Sequence, residues 1–429
     1  MNIWLVTIGE PVPVREGVRD RLHRTGYFAH LLAKNGHNVI WWTSTFNHFL
    51  KQRLFDNDTF LSINERLQIR LLHGCGYRNN VSFSRIRDHK QIAKKFSKFI
   101  RESENKPDVI VSAFPTIELC LESVKFGKQF SVPVVLDMRD MWPDIFVDSM
   151  PGIMRPFARM FFSPMFKDAR VACAQATAIT GITEGFVEWG LQRGQRHRTI
   201  FDRSFPMGYV SNPPSSESIC KAEIFWDEKG ITVKHGELIA CFFGTLGRQF
   251  DLDTVIMAVK RLNEKKIPVR FILCGSGDRL QHYKQKAEGL SNIVFPGWVD
   301  ASAIYVLMRR ADIGINPMPN RYDFLATINN KAIEYMSAGL PIVSSPAKGT
   351  LYDLLAQGQC GLSYDCGDVE GLTKILLRLC DDRNSLKKMA ENSARLFRER
   401  FVAEKVYGEM KEYLENVVAT YKKHMIIRS

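Results

Sequence analysis

The sequence predicts an α/β protein of two tandem, doubly wound Rossmann-like domains facing a cleft. Three observations predict it. The 429 residues are too many for one ordinary domain and enough for two. Short, continuously apolar runs alternate with amphipathic helical stretches, the pattern of parallel strands covered on both faces. That rhythm breaks once, at SNPPSSESICKAEIFWDEKGITVKHG (211–236), where Pro-Pro and a serine cluster predict a linker or surface excursion, and then restarts.

In chain order the strand IWLVTI leads to a helix ending YFAHLLAKNG, and the strand HNVIWWTS follows. The basic helix KQIAKKFSKFIRE precedes the strand PDVIVSAF. The helix TIELCLESVKFGKQ precedes VPVVLDMRD, and ATAITGIT and FPMGYVSN read as further strands. After the break come ELIACFFG, the helix DLDTVIMAVKRLNEK, the strands VRFILCGSGD and NIVFPGW, the helix ASAIYVLMRRA and the strand DIGINPMP. The motif NNKAIEYMSAGLPIVSS (329–345) follows, then GLSYDC and two helices. Val255, Ala258, Val259 and Leu262 recur at helical spacing, so one face of their helix packs on the sheet. The expected boundaries are 1–207 for the first domain and 208–400 for the second, with 401–429 a helix returning to the first.

Composition narrows the function. Hydrophobic residues make up 45% and charged residues 24%, globular values. Nine cysteines, none in a CxxC pair, read as free thiols in a reducing compartment, not as a disulfide framework or a zinc site. The N-terminal run lacks the basic region and cleavage site of a signal peptide, and no stretch is long and apolar enough to span a membrane. The expected location is the cytoplasm, with peripheral attachment to the inner face of the cell membrane as an extension. The net charge of +13 is uneven: 29 basic and 20 acidic residues up to Val210, then 30 and 26. An anionic partner is expected, either phosphorylated lipid, membrane surface or nucleic acid. Nucleic acid is the weaker choice, since no helix-turn-helix, RRM or zinc pattern accompanies the charge. A dinucleotide dehydrogenase is poorer still, because the first strand lacks the glycine fingerprint.

The chemistry concentrates at strand ends. In FFGTLGRQFDLDT, Gly244 and Gly247 permit a tight turn before a helix and Arg248 adds a cation, a combination suited to a diphosphate. LCGSGD places Gly275 at the next strand end and has no P-loop lysine, which excludes a Walker site. FPGWVD adds Gly297 and Trp298, a backbone and an indole able to flank a base, with a buried structural tryptophan as the plain alternative. In the 329–345 motif, Lys331 and Glu334 share a helix face at i, i+3. The carboxylate can accept two hydrogen bonds from a ribose diol, and the ammonium can approach a phosphate. The plain alternative is an intrahelical ion pair.

The set GTLGR, CGSGD, FPGW and NKAIEYMSAGLPIV resembles retaining glycosyltransferase family 4, of the GT-B fold. GHNV and EYMSAGLPIV are its most specific pieces. RDMWPD in the first domain is similar to the bacterial surface-polysaccharide (O-antigen and capsule) enzymes. The resemblance implies a nucleotide-sugar donor, UDP-linked by family weight, in the second domain. It implies a glycan or polyprenyl-diphosphate-linked acceptor in the first, retention at the anomeric carbon, and neither cofactor nor metal. Glu334 would hold the ribose and Gly247-Arg248 the diphosphate. The pattern departs at three points. Ala326 stands where the family often has a first glutamate, with Asp323 nearby and out of register. Phe250 stands where a lysine often follows the Gly-Arg turn, a charge that Lys331 would replace. Arg139, flanked by Asp137 and Asp140, stands where a histidine often ends the strand. A nucleotide-sugar epimerase of the same fold is the rival reading, and it would need acid and base residues on both faces of the sugar.

Arg248 and Lys331 are therefore expected to stabilise the departing diphosphate. Arg139 would reach phosphate or sugar from the first domain, and Asp140 would orient Arg139 or meet the acceptor hydroxyl. No nucleophile–base pair is evident, so no covalent intermediate is expected. For the acceptor, REGVRDRLHRTG, with Gly17, Arg19, Arg21 and Arg24, reads as a mobile loop facing the cleft. GIMRPFARMFFSPMFKDAR and RDHKQIAKKFSKFIR both read as interfacial helices with an aromatic face and a basic rim, the plain alternative for either being an apolar face packed into the core under solvated lysines.

Overall fold

The computed structural model describes residues 1–13, 22–232 and 236–428. The chain divides into two units, 1–206 with 406–429, and 207–405.

The first unit is built on an eight-stranded sheet. Its order from edge to edge is Arg203–Ser204, Ala178–Gly181, Val134–Met138, Val109–Phe114, Asn2–Val6, Asn38–Ser44, Leu67–Leu72 and Thr59–Asn64. All neighbours run parallel except the last pair, which is antiparallel. The strand order reverses between Asn2–Val6 and Val109–Phe114, both buried along most of their length. One face of this sheet carries an aromatic stack. The ring of Trp4 lies 5.7 Å from that of Trp42 and 5.3 Å from that of Phe126, and Trp42 lies 5.4 Å from Phe96. The closing helix, Ala403–Arg428, seats Tyr407 against Tyr27 at 5.2 Å, and the Tyr413 hydroxyl donates to the Phe201 carbonyl at 2.8 Å.

The second unit holds a six-stranded, wholly parallel sheet in the order Ile293–Gly297, Val269–Cys274, Leu238–Phe243, Ile313–Pro317, Ile342–Ser345 and Gly361–Ser363. Its four inner strands are short and almost continuously buried, as expected for a sheet covered on both faces. Helix Leu252–Glu264 is capped by Asp251, whose side chain accepts from Thr254 N, and Val255, Ala258, Val259 and Leu262 are all fully buried. Strand order reverses between Leu238–Phe243 and Ile313–Pro317. Such a point opens a crevice beyond the carboxyl ends of the strands.

Three expectations about local structure are corrected. Residues 211–236 are not simply a linker. Ser215 caps helix Ser216–Glu228, and the fully buried Trp226 donates its indole N–H to the Ala303 carbonyl at 2.9 Å, so two prolines mark the approach to a packed helix. FPMGYVSN is not a strand: Tyr209 makes an isolated bridge to Val402. The helix containing KQIAKKFSKFIR, Phe83–Glu102, buries Ile92, Phe96 and Ile100 in the core, so the apolar face of that stretch is already covered, while Phe83 at the helix start is exposed.

Candidate nucleotide site

The site forms around the carboxyl end of Leu238–Phe243, at the strand-order reversal of the second sheet. The next residue, Gly244, has φ +147°, and Gly275, which ends the neighbouring strand, has φ +135°. A Cβ at Gly275 would fall on the Gly244 carbonyl, and one at Gly244 would lie 2.6 Å from Lys331 Nζ. Both glycines are therefore required by close approach of backbone and side chain. Gly244 N donates to Cys274 O at 3.1 Å, Gly275 N to Gly297 O at 2.7 Å, and Leu246 N to Ser276 O at 2.9 Å, so three strand-end turns are tied together. The Tyr283 hydroxyl donates to Gly247 O at 3.2 Å, and Asp251 N donates to Pro317 O at 2.9 Å, which locks the turn at both ends.

Lys331 enters this turn from helix Asn330–Ser337. Asn329 caps that helix by accepting from Ala332 N at 3.0 Å, and its amide also donates to Asn316 Oδ1 at 2.9 Å on the strand beyond the crevice. The cap fixes the helix start, and the second residue points at the turn. Lys331 is only 9% exposed. Its ammonium donates to the Phe243 carbonyl and lies 4.1 Å from the Phe242 ring centre and 4.7 Å from that of Phe250. Burial pushes its pKa down from 10.5 to about 8, against an opposing pull from Glu334. Among the described residues its ammonium bonds one acceptor, so two of its three N–H donors remain for a ligand. Phe250 packs over this ammonium.

The other expected residues are distributed as follows. Arg248 is 85% exposed, with only a loose ion pair to Asp278 at 3.8 Å, so its guanidinium is unspent. Glu334 is half-buried, one turn beyond Lys331 and electrostatically coupled to it. Trp298 follows Gly297 and is 75% exposed, so it is not a buried structural tryptophan. Ala326 is buried, and Arg321 holds the Asp323 carboxylate with two bonds of 2.6 Å.

In the first unit, Arg139 donates to Asp137 at 2.8 Å and to Glu10, and Arg24 grips the same Asp137 at 2.9 and 3.0 Å. Thr180 adds a fourth bond at 3.0 Å. Burial would raise the Asp137 carboxyl, yet Arg24 and Arg139 hold it well below the usual carboxylate range. Arg24 is fully buried in this network and is no part of a loop, which corrects the expectation for it; Gly17, Arg19 and Arg21 lie outside the described residues. Asp140 accepts from Met141 N at 2.8 Å and from the Trp142 indole at 3.2 Å, so it shapes its own turn.

Sequence reasoning missed a cluster in the first unit, where loop residues His48 and Tyr77 and the turn residue Trp142 meet Arg85 and His89 of helix Phe83–Glu102. His48 Nδ1 lies 2.6 Å from the Tyr77 hydroxyl, His89 stacks on Trp142, and the Arg85 guanidinium lies 4.3 Å over the Trp142 ring. Burial, then neighbouring cations, pushes His48 to about 4 and His89 to about 3, so both are neutral at pH 7. Histidines just past a strand end (His48) or one turn after an arginine (His89) were the available signal. Among the described residues no group of three or more His, Cys, Asp or Glu is arranged to hold a metal ion.

With this geometry in hand, residues 237–382 match the family model "Glycosyl transferases group 1". That stretch, about a third of the chain, is similar to glycosyltransferases of group 1. The match spans the sheet, the turn at Gly244 and the helix of Lys331 and Glu334. Over 205 residues the chain is 26% identical to the uncharacterized glycosyltransferase MJ1069 of Methanocaldococcus jannaschii, an alignment that takes in 46% of this chain and half of that relative. Among solved structures, sucrose-phosphate synthase from Thermosynechococcus elongatus superposes with a TM-score of 0.71 at 15% identity, covering 98% of this chain and 99% of that one. Anabaena HepE in complex with UDP gives 0.64 at 16% identity, covering 97% and 99%. The expected fold holds: two α/β Rossmann-like halves of the GT-B class.

Proposed function

We propose that the protein is a retaining glycosyltransferase that takes a sugar from a nucleotide-diphosphate donor, UDP-linked, without a metal. Its acceptor would be a glycan or polyprenyl-diphosphate-linked saccharide of surface polysaccharide synthesis. One observation carries this reading: a buried ammonium with two unused donors, set against a glycine turn at the strand-order reversal of the second sheet. Cleaving the donor puts negative charge on the β-phosphate and positive charge on the sugar ring. Lys331, the exposed Arg248 and the N–H groups of Thr245 and Gly247 supply fixed positive charge to that phosphate, those of Gly244 and Leu246 being bonded to the Cys274 and Ser276 carbonyls. Because the charge grows as the bond breaks, they favour the transition state over bound donor. Glu334 accepts from the ribose, and Trp298 flanks the base. The UDP held by the Anabaena neighbour supports the choice of base, and RDMWPD supports the choice of acceptor class.

The test is thermal shift against UDP, GDP, ADP and their sugars, with and without Glu334→Ala. One nucleotide class should stabilise the protein and lose that effect in the variant. Stabilisation that survives the substitution removes Glu334 from the ribose role. Donor turnover to an epimer without acceptor would favour an epimerase.

A further inference from the structure

The first unit leaves an apolar ridge uncovered. Ile153, Met154, Phe157, Met160 and Phe161 are all exposed, Phe157 at 67% and Met160 at 71%. They lie on one short helical segment, 152–161, whose entry is pinned by Arg155: its guanidinium donates to the carbonyls of Met150 and Asp148 at 3.2 and 3.3 Å. The ridge continues onto a second element. The Phe161 ring meets the Phe83 ring edge-on at 5.7 Å, and Val81 and Phe83 are themselves exposed. Between the two elements opens a cavity of about 220 Å3, walled by Val81, Phe83, Trp142, Phe146, Phe161 and Phe162. An apolar patch of this extent on a folded surface marks a docking face.

Charge identifies the occupant. From Ser149 to Lys167 the sequence has no aspartate or glutamate, while Arg155, Arg159 and Lys167 lie on this stretch. Arg159 and Lys167 line a neighbouring hollow of about 370 Å3 with Arg170 and Arg193. Arg78, Arg87 and Lys90 flank the other element, where the nearest acid, Asp88, is buried. Asp148 and Asp168 border this stretch and Arg193 pairs with Asp144, but Arg155, Arg159, Lys167 and Arg170 leave it with a net positive charge. Exposed apolar side chains beside this excess of cations match a bilayer carrying anionic lipid, whose acyl boundary takes the ridge and whose headgroups take the cations. We infer that the first unit docks on an anionic membrane surface through residues 81–83 and 153–161. This rests on no assumption about the transfer reaction. Among the described residues no helix is long and apolar enough to cross a membrane, so the contact is interfacial.

The test is sedimentation of the full chain with phosphatidylcholine vesicles, with and without phosphatidylglycerol, at low and high salt. Binding should require phosphatidylglycerol and weaken with salt. Phe157→Ser with Met160→Ser, and separately Arg159→Glu with Lys167→Glu, should each weaken it about ten-fold or more at unchanged melting temperature. Lys94→Glu with Lys98→Glu, on the stretch of helix whose apolar face is packed, should leave binding intact. The inference is overturned if the native chain ignores these vesicles. It is overturned equally if both ridge and cation variants bind like the native chain, or if the Lys94/Lys98 variant alone loses binding. A dimer that Phe157→Ser with Met160→Ser dissolves, with vesicles ignored, would assign the ridge to a second copy instead.

Discussion

Replacing Lys331 by methionine should separate stability from function. The lysine is held as a buried cation beside three phenylalanine rings, and its pKa falls from 10.5 to about 8. At pH 7 that fall corresponds to roughly 3 kcal/mol of native-state destabilisation by the charged form. Methionine fills similar space without charge. It leaves the Phe243 carbonyl without this partner, a cost of about 1–3 kcal/mol. The balance lies between no change and about 2 kcal/mol of added stability. The sign with pH follows. The unfolded chain keeps the proton to 10.5 and the folded chain releases it near 8. The native protein therefore gains stability as pH rises from about 8 toward 10.5, and the methionine variant lacks that gain. Activity should move the other way: losing a charge-stabilising donor costs about 2.7–4 kcal/mol in the barrier, a fall of roughly 10²–10³ in kcat. Urea denaturation across pH 7 to 10 and steady-state donor turnover measure both. If Lys331→Met unfolds the protein by more than about 2 kcal/mol at pH 7, or keeps native kcat, the reasoning fails.

The remaining expectations concern neighbouring groups. Arg248→Ala should change stability by less than about 0.5 kcal/mol, because the side chain is exposed, yet lower kcat/KM about a hundred-fold; denaturation and kinetics on one preparation decide it. Trp298→Phe should leave the melting temperature alone and abolish any tryptophan fluorescence change on UDP binding; a change that persists would place the base elsewhere. Asp137→Asn should cost about 3–5 kcal/mol by leaving the buried Arg24 without its carboxylate, read by urea denaturation. The Asp137 carboxyl is held below its unfolded value, so its contribution is present above the ordinary carboxylate range. It is lost as pH falls through the lower folded value.

The sequence showed the periodic parts of this molecule well. The parallel strands announced themselves as continuous apolar runs, and the face of helix Leu252–Glu264 followed from four residues at helical spacing. The hairpin of Thr59–Asn64 and Leu67–Leu72 was missed because its solvent-facing strand alternates weakly and its turn, Glu65-Arg66, lacks glycine. The spacing of Lys331 and Glu334 gave their shared face. It could not show that the lysine is buried at the end of a strand about ninety residues earlier, since that depends on sheet order. The Arg24–Asp137 pair, 113 residues apart, was illegible for the same reason, and it turned an expected loop cation into a core one. Two amphipathic helices looked alike in sequence as membrane candidates. Packing distinguished them: Ile92, Phe96 and Ile100 are buried, whereas Phe157 and Met160 are not.

Central to the proposed mechanism is that the Gly244–Gly247 turn with Lys331 would hold one end of a nucleoside diphosphate and Glu334 the other. A crystal structure with bound UDP measures it most directly. The β-phosphate should lie within hydrogen-bonding reach of Lys331 Nζ and the turn's backbone N–H groups, with the ribose hydroxyls on Glu334. Well-ordered UDP seated away from Lys331, or with its ribose far from Glu334, would contradict it.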